Sequence, residues 1–167
     1  MLLRLARLED SAALPPIERS AAQLFKNVPG LEWLADGDVM SAQAHERLIA
    51  QGSVWVAEAE PGTLVGFASA EVFGDELHLW ELSVHADWQQ QGVGSGLLRQ
   101  AYAHAAAQGL AALTLTTFSD LPWNAPAYAR LGFEPVQPLS ERLHKVLDAE
   151  LAHGLPAGRR VAMRRRV

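Results

Sequence analysis

The chain has 167 residues, of which 49% are hydrophobic and 20% charged, enough for one domain with a real core and too apolar for a disordered chain. A net charge of −5 argues against a general nucleic-acid or membrane surface and suits a small cationic substrate. The absence of cysteine excludes disulfides, thiolate metal sites and a covalent mechanism through a protein thiol.

Arg4, Arg7, Glu9 and Asp10 interrupt the apolar start of the chain. Neither a signal peptide nor a membrane span is read there, and a cytoplasmic location is expected. Residues 2–8 alternate apolar and charged, which predicts a strand. Asp10 or Ser11 can cap a helix over 11–26, with Pro15 and Pro16 in its early turns. Residues 27–40 read as a loop, and a second helix over 41–51 ends at Gly52. Strands are expected at 53–59, 63–73 and 76–84, joined by turns at Glu60-Pro61-Gly62 and Gly74-Asp75.

The pattern then changes to helical. Val93, Leu97, Leu98, Ala101 and Ala105 share one face of a predicted helix over 93–107, stopped by Gly109. Residues 110–117 form a nearly continuous apolar run, as in a buried strand. Strand 76–84, this helix and strand 110–117 therefore make a βαβ crossover. A short helix at 124–131, a strand at 133–137, a helix at 139–152 and a basic strand at 159–166 complete the order. The last is read as a solvated edge strand guarded by arginine. The fold class is α/β with a mixed sheet, an antiparallel front with one parallel crossover, in a single domain over 1–167.

The stretch QQQGVGSGLL (89–98) places three glycines where a strand passes into a helix. Glycine permits positive φ and lets another molecule come close to the backbone. A helix N-terminus offers unpaired amides and partial positive charge, a combination suited to phosphate. Close packing of helix on sheet would also use glycine there. A dinucleotide fingerprint fails because its third glycine falls on Leu97, and a P-loop fails for want of a lysine.

The spacing Gln89-x-x-Gly92-x-Gly94, following Val84-His85-Ala86-Asp87-Trp88, resembles the acyl-CoA-binding motif of the GNAT N-acetyltransferase superfamily. Residues 123–136 (WNAPAYARLGFEPV) resemble that family's second motif, with Asn124 and Tyr128 ahead of a Gly-Phe strand start. The resemblance implies a GNAT fold over the whole chain and acetyl-CoA as cosubstrate. It implies that pantetheine pairs with backbone around Leu82, Ser83 and Val84. It places the pyrophosphate on amides of Gln90, Gln91, Gly92, Val93, Gly94, Ser95 and Gly96. Gln89 stands where many relatives carry arginine, so one fixed positive charge is missing. The resemblance also admits a homodimer.

The reaction implied is direct attack of a small-molecule primary amine on the thioester. The amine must lose a proton and the CoA thiolate must gain one. Tyr128, protonated at neutral pH by the ordinary phenol pKa, is the candidate acid. Asn124, one helical turn earlier, is expected either to bond the CoA arm or to cap its helix. Glu81 is the candidate base, sharing a strand face with Ser83 and His85. His78 and His85 lie on opposite faces and are read as packing or surface residues. Trp33 and Trp123 are candidates for the acceptor pocket, whereas core packing is the default for at least two of the tryptophans. No metal spacing is present, and no metal, nucleic acid or membrane partner is expected. Two other readings stay open: a protein N-terminus or lysine as acceptor, and a non-catalytic acyl-CoA sensor.

Overall fold

A computed structural model describes all residues, Met1–Val167. Its strands form one seven-stranded mixed sheet in the order β1-β2-β3-β4-β5-β7-β6. By contact the chain divides into two compact units, Met1–Glu71 with Trp80–His104, and Val72–Leu79 with Ala105–Val167. No helix is long and apolar enough to cross a membrane.

In the first unit, β1 (Leu2–Leu5) stops earlier than its alternation predicts. The Arg7 amide donates to Asp10 Oδ2 at 2.7 Å, and Arg4 reaches the same carboxylate at 2.8 Å. These bonds turn residues Leu8–Ala13 into a 3-10 helix. The single helix expected over 11–26 is broken in three. Pro15 and Pro16 have no amide hydrogen to continue a ladder, so α1 (Leu14–Ala21) begins with them in its first turn. A second 3-10 segment, Ala22–Asn27, follows. The loop over 27–40 also holds a short 3-10 turn at Glu32–Asp36.

Ser41 caps α2 (Ala42–Ala50) by accepting from the Ala44 amide. β2 (Val54–Glu60) pairs antiparallel with β1 and with β3 (Thr63–Phe73). Leu14, Ile17, Leu48, Ile49, Val54, Val56 and Phe67 make a core of α1 and α2 against these strands. The same unit carries the second half of β4 (Glu76–Val84) and most of α3 (Val93–Ala107). The residues expected on the inner face of α3, from Val93 to Ala105, are all buried.

In the second unit, β4 pairs parallel with β5 (Ala112–Phe118) through Glu76–His78, so the expected parallel crossover is present. α4 (Ala125–Arg130) leads to β6, which is only Glu134–Pro135. α5 (Glu141–Ala152) is capped by Ser140. β7 (Arg160–Arg166) corrects the sequence reading: it is an interior strand, paired with β5 along its whole length and with β6 on its other side. Two of its arginines, and Arg159 just before it, are matched by acids inside the unit. Arg164 Nε reaches Glu76 at 2.7 Å and Arg160 reaches Glu150 at 3.0 Å, with Arg159 on Asp120 at 3.0 Å.

Candidate active site

The first unit carries the strand-to-helix junction. On β4, Glu81 and Ser83 share a face, and the Ser83 hydroxyl donates to Glu81 Oε1 at 2.8 Å. Leu82 and Val84 point the other way, toward Gly94. After the strand, His85 Nδ1 accepts from the Asp87 amide and caps the 3-10 turn Ala86–Trp88, a structural task. Gln89 Nε2 donates to the Val84 carbonyl at 3.0 Å, and Gln91 Nε2 to the Asp87 carbonyl at 3.2 Å. Two of the three glutamines thus spend their amides holding the loop. Gln90 is exposed, with φ of 60°.

The three glycines have three different causes. Gly92 has φ of +82°, a conformation that side chains resist. Gly96 is buried, and a Cβ there would stand 2.7 Å from Leu3 Cδ1, so it serves the packing of α3 beside β1. Its amide is also engaged, donating to the Gly92 carbonyl at 3.0 Å as the first rung of the helix. The Gly96 amide therefore already has a partner within the helix. Gly94 is helical, and a Cβ there would meet only Val84 Cγ2 at 3.8 Å and Leu82 Cδ2 at 3.9 Å, ordinary contact. Nothing inside the protein requires glycine at 94, although it costs about 1 kcal/mol of helix propensity. The amides of Val93, Gly94 and Ser95 precede the first rung and have no carbonyl within the helix to bond. Beneath them, Gly66 on β3 lets α3 approach, because a Cβ there would crowd the Ser83 carbonyl and Val93 Cγ1, both at 3.2 Å.

Sequence reasoning missed Glu18. It sits on α1, which is tied to the loop after β4 by the Ala86 amide donating to Ser20 Oγ at 2.9 Å. Its Oε1 accepts from the Met40 amide at 3.4 Å. Burial, followed by the negative charge of Glu81, pushes its carboxyl up to about 8. No local pattern marks this residue, since its partner is on a distant strand. A polar cleft of about 440 Å³ opens between Arg19 and Gln23 on one side and residues 35–39 on the other. Trp33 is 47% exposed and is not among the residues lining that cleft.

The second unit carries the other motif. Trp123 is 38% exposed. Asn124 is the N-cap residue of α4 by position, but its side chain makes no capping bond. Its Oδ1 is buried without a partner, a state rare enough in folded proteins to need a cause. Tyr128 is half-buried on α4, its ring edge-on to Phe133 at 5.7 Å. His78 is buried with Nδ1 on Thr114 Oγ1 at 2.8 Å. The remaining tryptophans belong to the first unit, where Trp55 is buried against His104. Trp80 gives its Nε1 hydrogen to Glu71 at 2.9 Å.

A model of the acetyltransferase (GNAT) domain family matches residues 50–135, just over half of the chain and both motifs. The chain belongs to the GNAT acetyltransferase family. As a GNAT member it is an N-acetyltransferase. Solved GNAT structures share its fold. PaiA N-acetyltransferase from Thermoplasma acidophilum, in complex with coenzyme A, is 16% identical with a TM-score of 0.74, over 99% of this chain and 98% of that one. Rv2747 from Mycobacterium tuberculosis, also with CoA, is 17% identical with a TM-score of 0.75, over 100% and 99%. Ribosomal-protein-alanine N-acetyltransferase from Brucella melitensis is 23% identical with a TM-score of 0.71, over 100% of both chains.

Proposed function

We propose that this GNAT member takes its acetyl group from acetyl-CoA and delivers it to a primary amine of a small molecule. The residues 1–167 serve as a single acetyltransferase domain. Gly94 carries this reading. It is the one glycine of the junction that neither backbone conformation nor internal packing explains, and close approach of a ligand does explain it. The pyrophosphate then rests on the amides of Val93, Gly94 and Ser95, helped by the partial positive charge of α3. Pantetheine lies along Leu82, Ser83 and Val84, although the Val84 carbonyl already accepts from Gln89. The unpartnered Asn124 Oδ1 is an acceptor for a donor on the CoA arm.

Tyr128 takes its role from its place in the second motif, donating a proton to the departing thiolate. Glu81, oriented by the Ser83 hydroxyl, attracts the ammonium form of the acceptor. The net charge of −5 suits a small cationic amine as acceptor. The test is acetyl-CoA-dependent CoA release, measured across a panel of small amines and a panel of peptides bearing free N-termini or lysines. Turnover confined to peptides overturns the small-molecule acceptor. A shift in melting temperature with acetyl-CoA but no turnover on either panel marks an acyl-CoA sensor.

A further inference from the structure

The two edges of the sheet are built differently. β6 closes one with Glu134 and Pro135, a charge and a proline of the kind that keep other strands away. β1 closes the other with Leu2, Leu3, Arg4 and Leu5, in unbroken register with β2 and without proline or lysine. Met1, Leu2, Leu5 and Leu8, on and beside this strand, are each half or more exposed. The one charge on the strand, Arg4, is answered within the chain by Asp10 at 2.8 Å and Glu58 at 2.9 Å.

The ladder shows which backbone groups this edge leaves open. The Ala6 amide donates to the Val54 carbonyl at 2.9 Å, in line with the register of β1 on β2. Hydrogen-bonded pairs alternate in an antiparallel ladder, so Leu2, Arg4 and Ala6 direct their amides and carbonyls at β2. Leu3 and Leu5 direct theirs outward. The Leu5 carbonyl accepts from Arg4 Nη1 at 3.1 Å. The Leu3 amide and carbonyl and the Leu5 amide face away from the sheet.

We propose that this edge pairs with a second copy of the chain, β1 antiparallel to β1, about a two-fold axis at Leu3. Each Leu3 amide then donates to the other copy's Leu3 carbonyl, and each Leu5 amide to the other copy's Met1 carbonyl. Opposed side chains share a face, so Met1 lies against Leu5, and Leu2 against the aliphatic stem of Arg4. An axis at Arg4 would set two arginines face to face, which is unfavourable. An axis at Leu5 would carry the pairing onto Arg7, whose amide already donates to Asp10 at 2.7 Å. Leu3 is the axis that satisfies backbone and charge together. A second copy fits because it brings the same apolar side chains, the same open groups in the complementary direction and no unanswered charge. A strand of four residues supports a weak, reversible dimer rather than an obligate one.

The test is sedimentation equilibrium of the full chain from micromolar to millimolar concentration. Wild type should pass reversibly from monomer to dimer. Leu5→Lys sets a charge against the apolar side chain opposite and should weaken the dimer about tenfold or more. Leu5→Pro removes an amide that points away from β2, so the chain's own ladder keeps its bonds while the dimer loses those of Leu5. It should be monomeric with an unchanged circular dichroism spectrum. Register is read in the cysteine-free chain by treating Leu3→Cys and Leu5→Cys with an ethylene-bridged bis-methanethiosulfonate. Across the axis the two Cα atoms at position 3 stand about 5.5 Å apart. Those at position 5 lie about 14 Å apart along the strands. Covalent dimer should form at position 3 and not at position 5, although Leu5 is the more exposed. Wild type that stays monomeric at millimolar concentration overturns the second copy as occupant, whatever else the edge binds. A dimer untouched by both changes at Leu5, or crosslinking that favours position 5, overturns the pairing through β1.

Discussion

A methyl group at position 94 fits the protein, in ordinary contact with Leu82 and Val84. Gly94→Ala should therefore keep or slightly raise the melting temperature, gaining up to about 1 kcal/mol of helix propensity. Gly94→Trp should instead block the backbone's approach to acetyl-CoA, so that affinity falls about tenfold or more, which calorimetry reads directly. Tyr128→Phe keeps the ring that packs on Phe133 and removes only the hydroxyl. Acetyl-CoA should bind it normally, while single-turnover transfer slows by about 10²-fold. Glu18 has a cost for stability. Its folded carboxyl holds a proton that the unfolded chain gives up near pH 4, so it erodes stability as pH rises from about 4 to about 8. The melting-temperature advantage of Glu18→Gln over wild type should grow across that window and then level off.

At the scale of elements, α3 depends on Gly66 as much as on its own glycines. Gly66→Ala forces a Cβ against the Ser83 carbonyl, which is backbone and cannot turn aside, as well as Val93 and Leu97. The expected cost is about 1–3 kcal/mol of overpacking, read by denaturant unfolding, together with weaker acetyl-CoA binding as the helix start lifts. Elements with a clean period were legible in the sequence. β4 and α3 fall on their predicted residues because alternation and helical spacing were uninterrupted there. α1 was overextended because its apolar spacing runs on through Ala22–Asn27, where the backbone tightens to 3-10. β7 was misplaced because arginines signal solvent only when they lack acids to meet. Glu76, Glu150 and Asp120, distant in sequence, supply them.

Across the whole molecule, two groups of paired charges set the response to acid. Asp10 is raised by burial, but the hydrogen bonds from Arg4 and the Arg7 amide outweigh this and hold it below the usual carboxylate range. Glu76 follows the same balance, with Arg164 and Arg142 as its partners. Both carboxyls contribute stability above their ordinary range and lose it as pH falls through the lowered folded values. Unfolding followed by circular dichroism should therefore set in below about pH 4, and Glu76→Gln should flatten that transition while lowering stability at neutral pH. The candidate site was legible where it is a local motif, and silent where it is an encounter, as between Glu18 and Glu81. The junction glycines divide along the same line, and this has a consequence for the history of such chains. Gly92 and Gly96 answer to the fold, so they should persist in a descendant that has abandoned its ligand. Gly94 answers to the ligand alone and is free to drift once the ligand is gone. A sequence that keeps the first and last of the three but carries a bulky residue between them has inherited the scaffold as a relic.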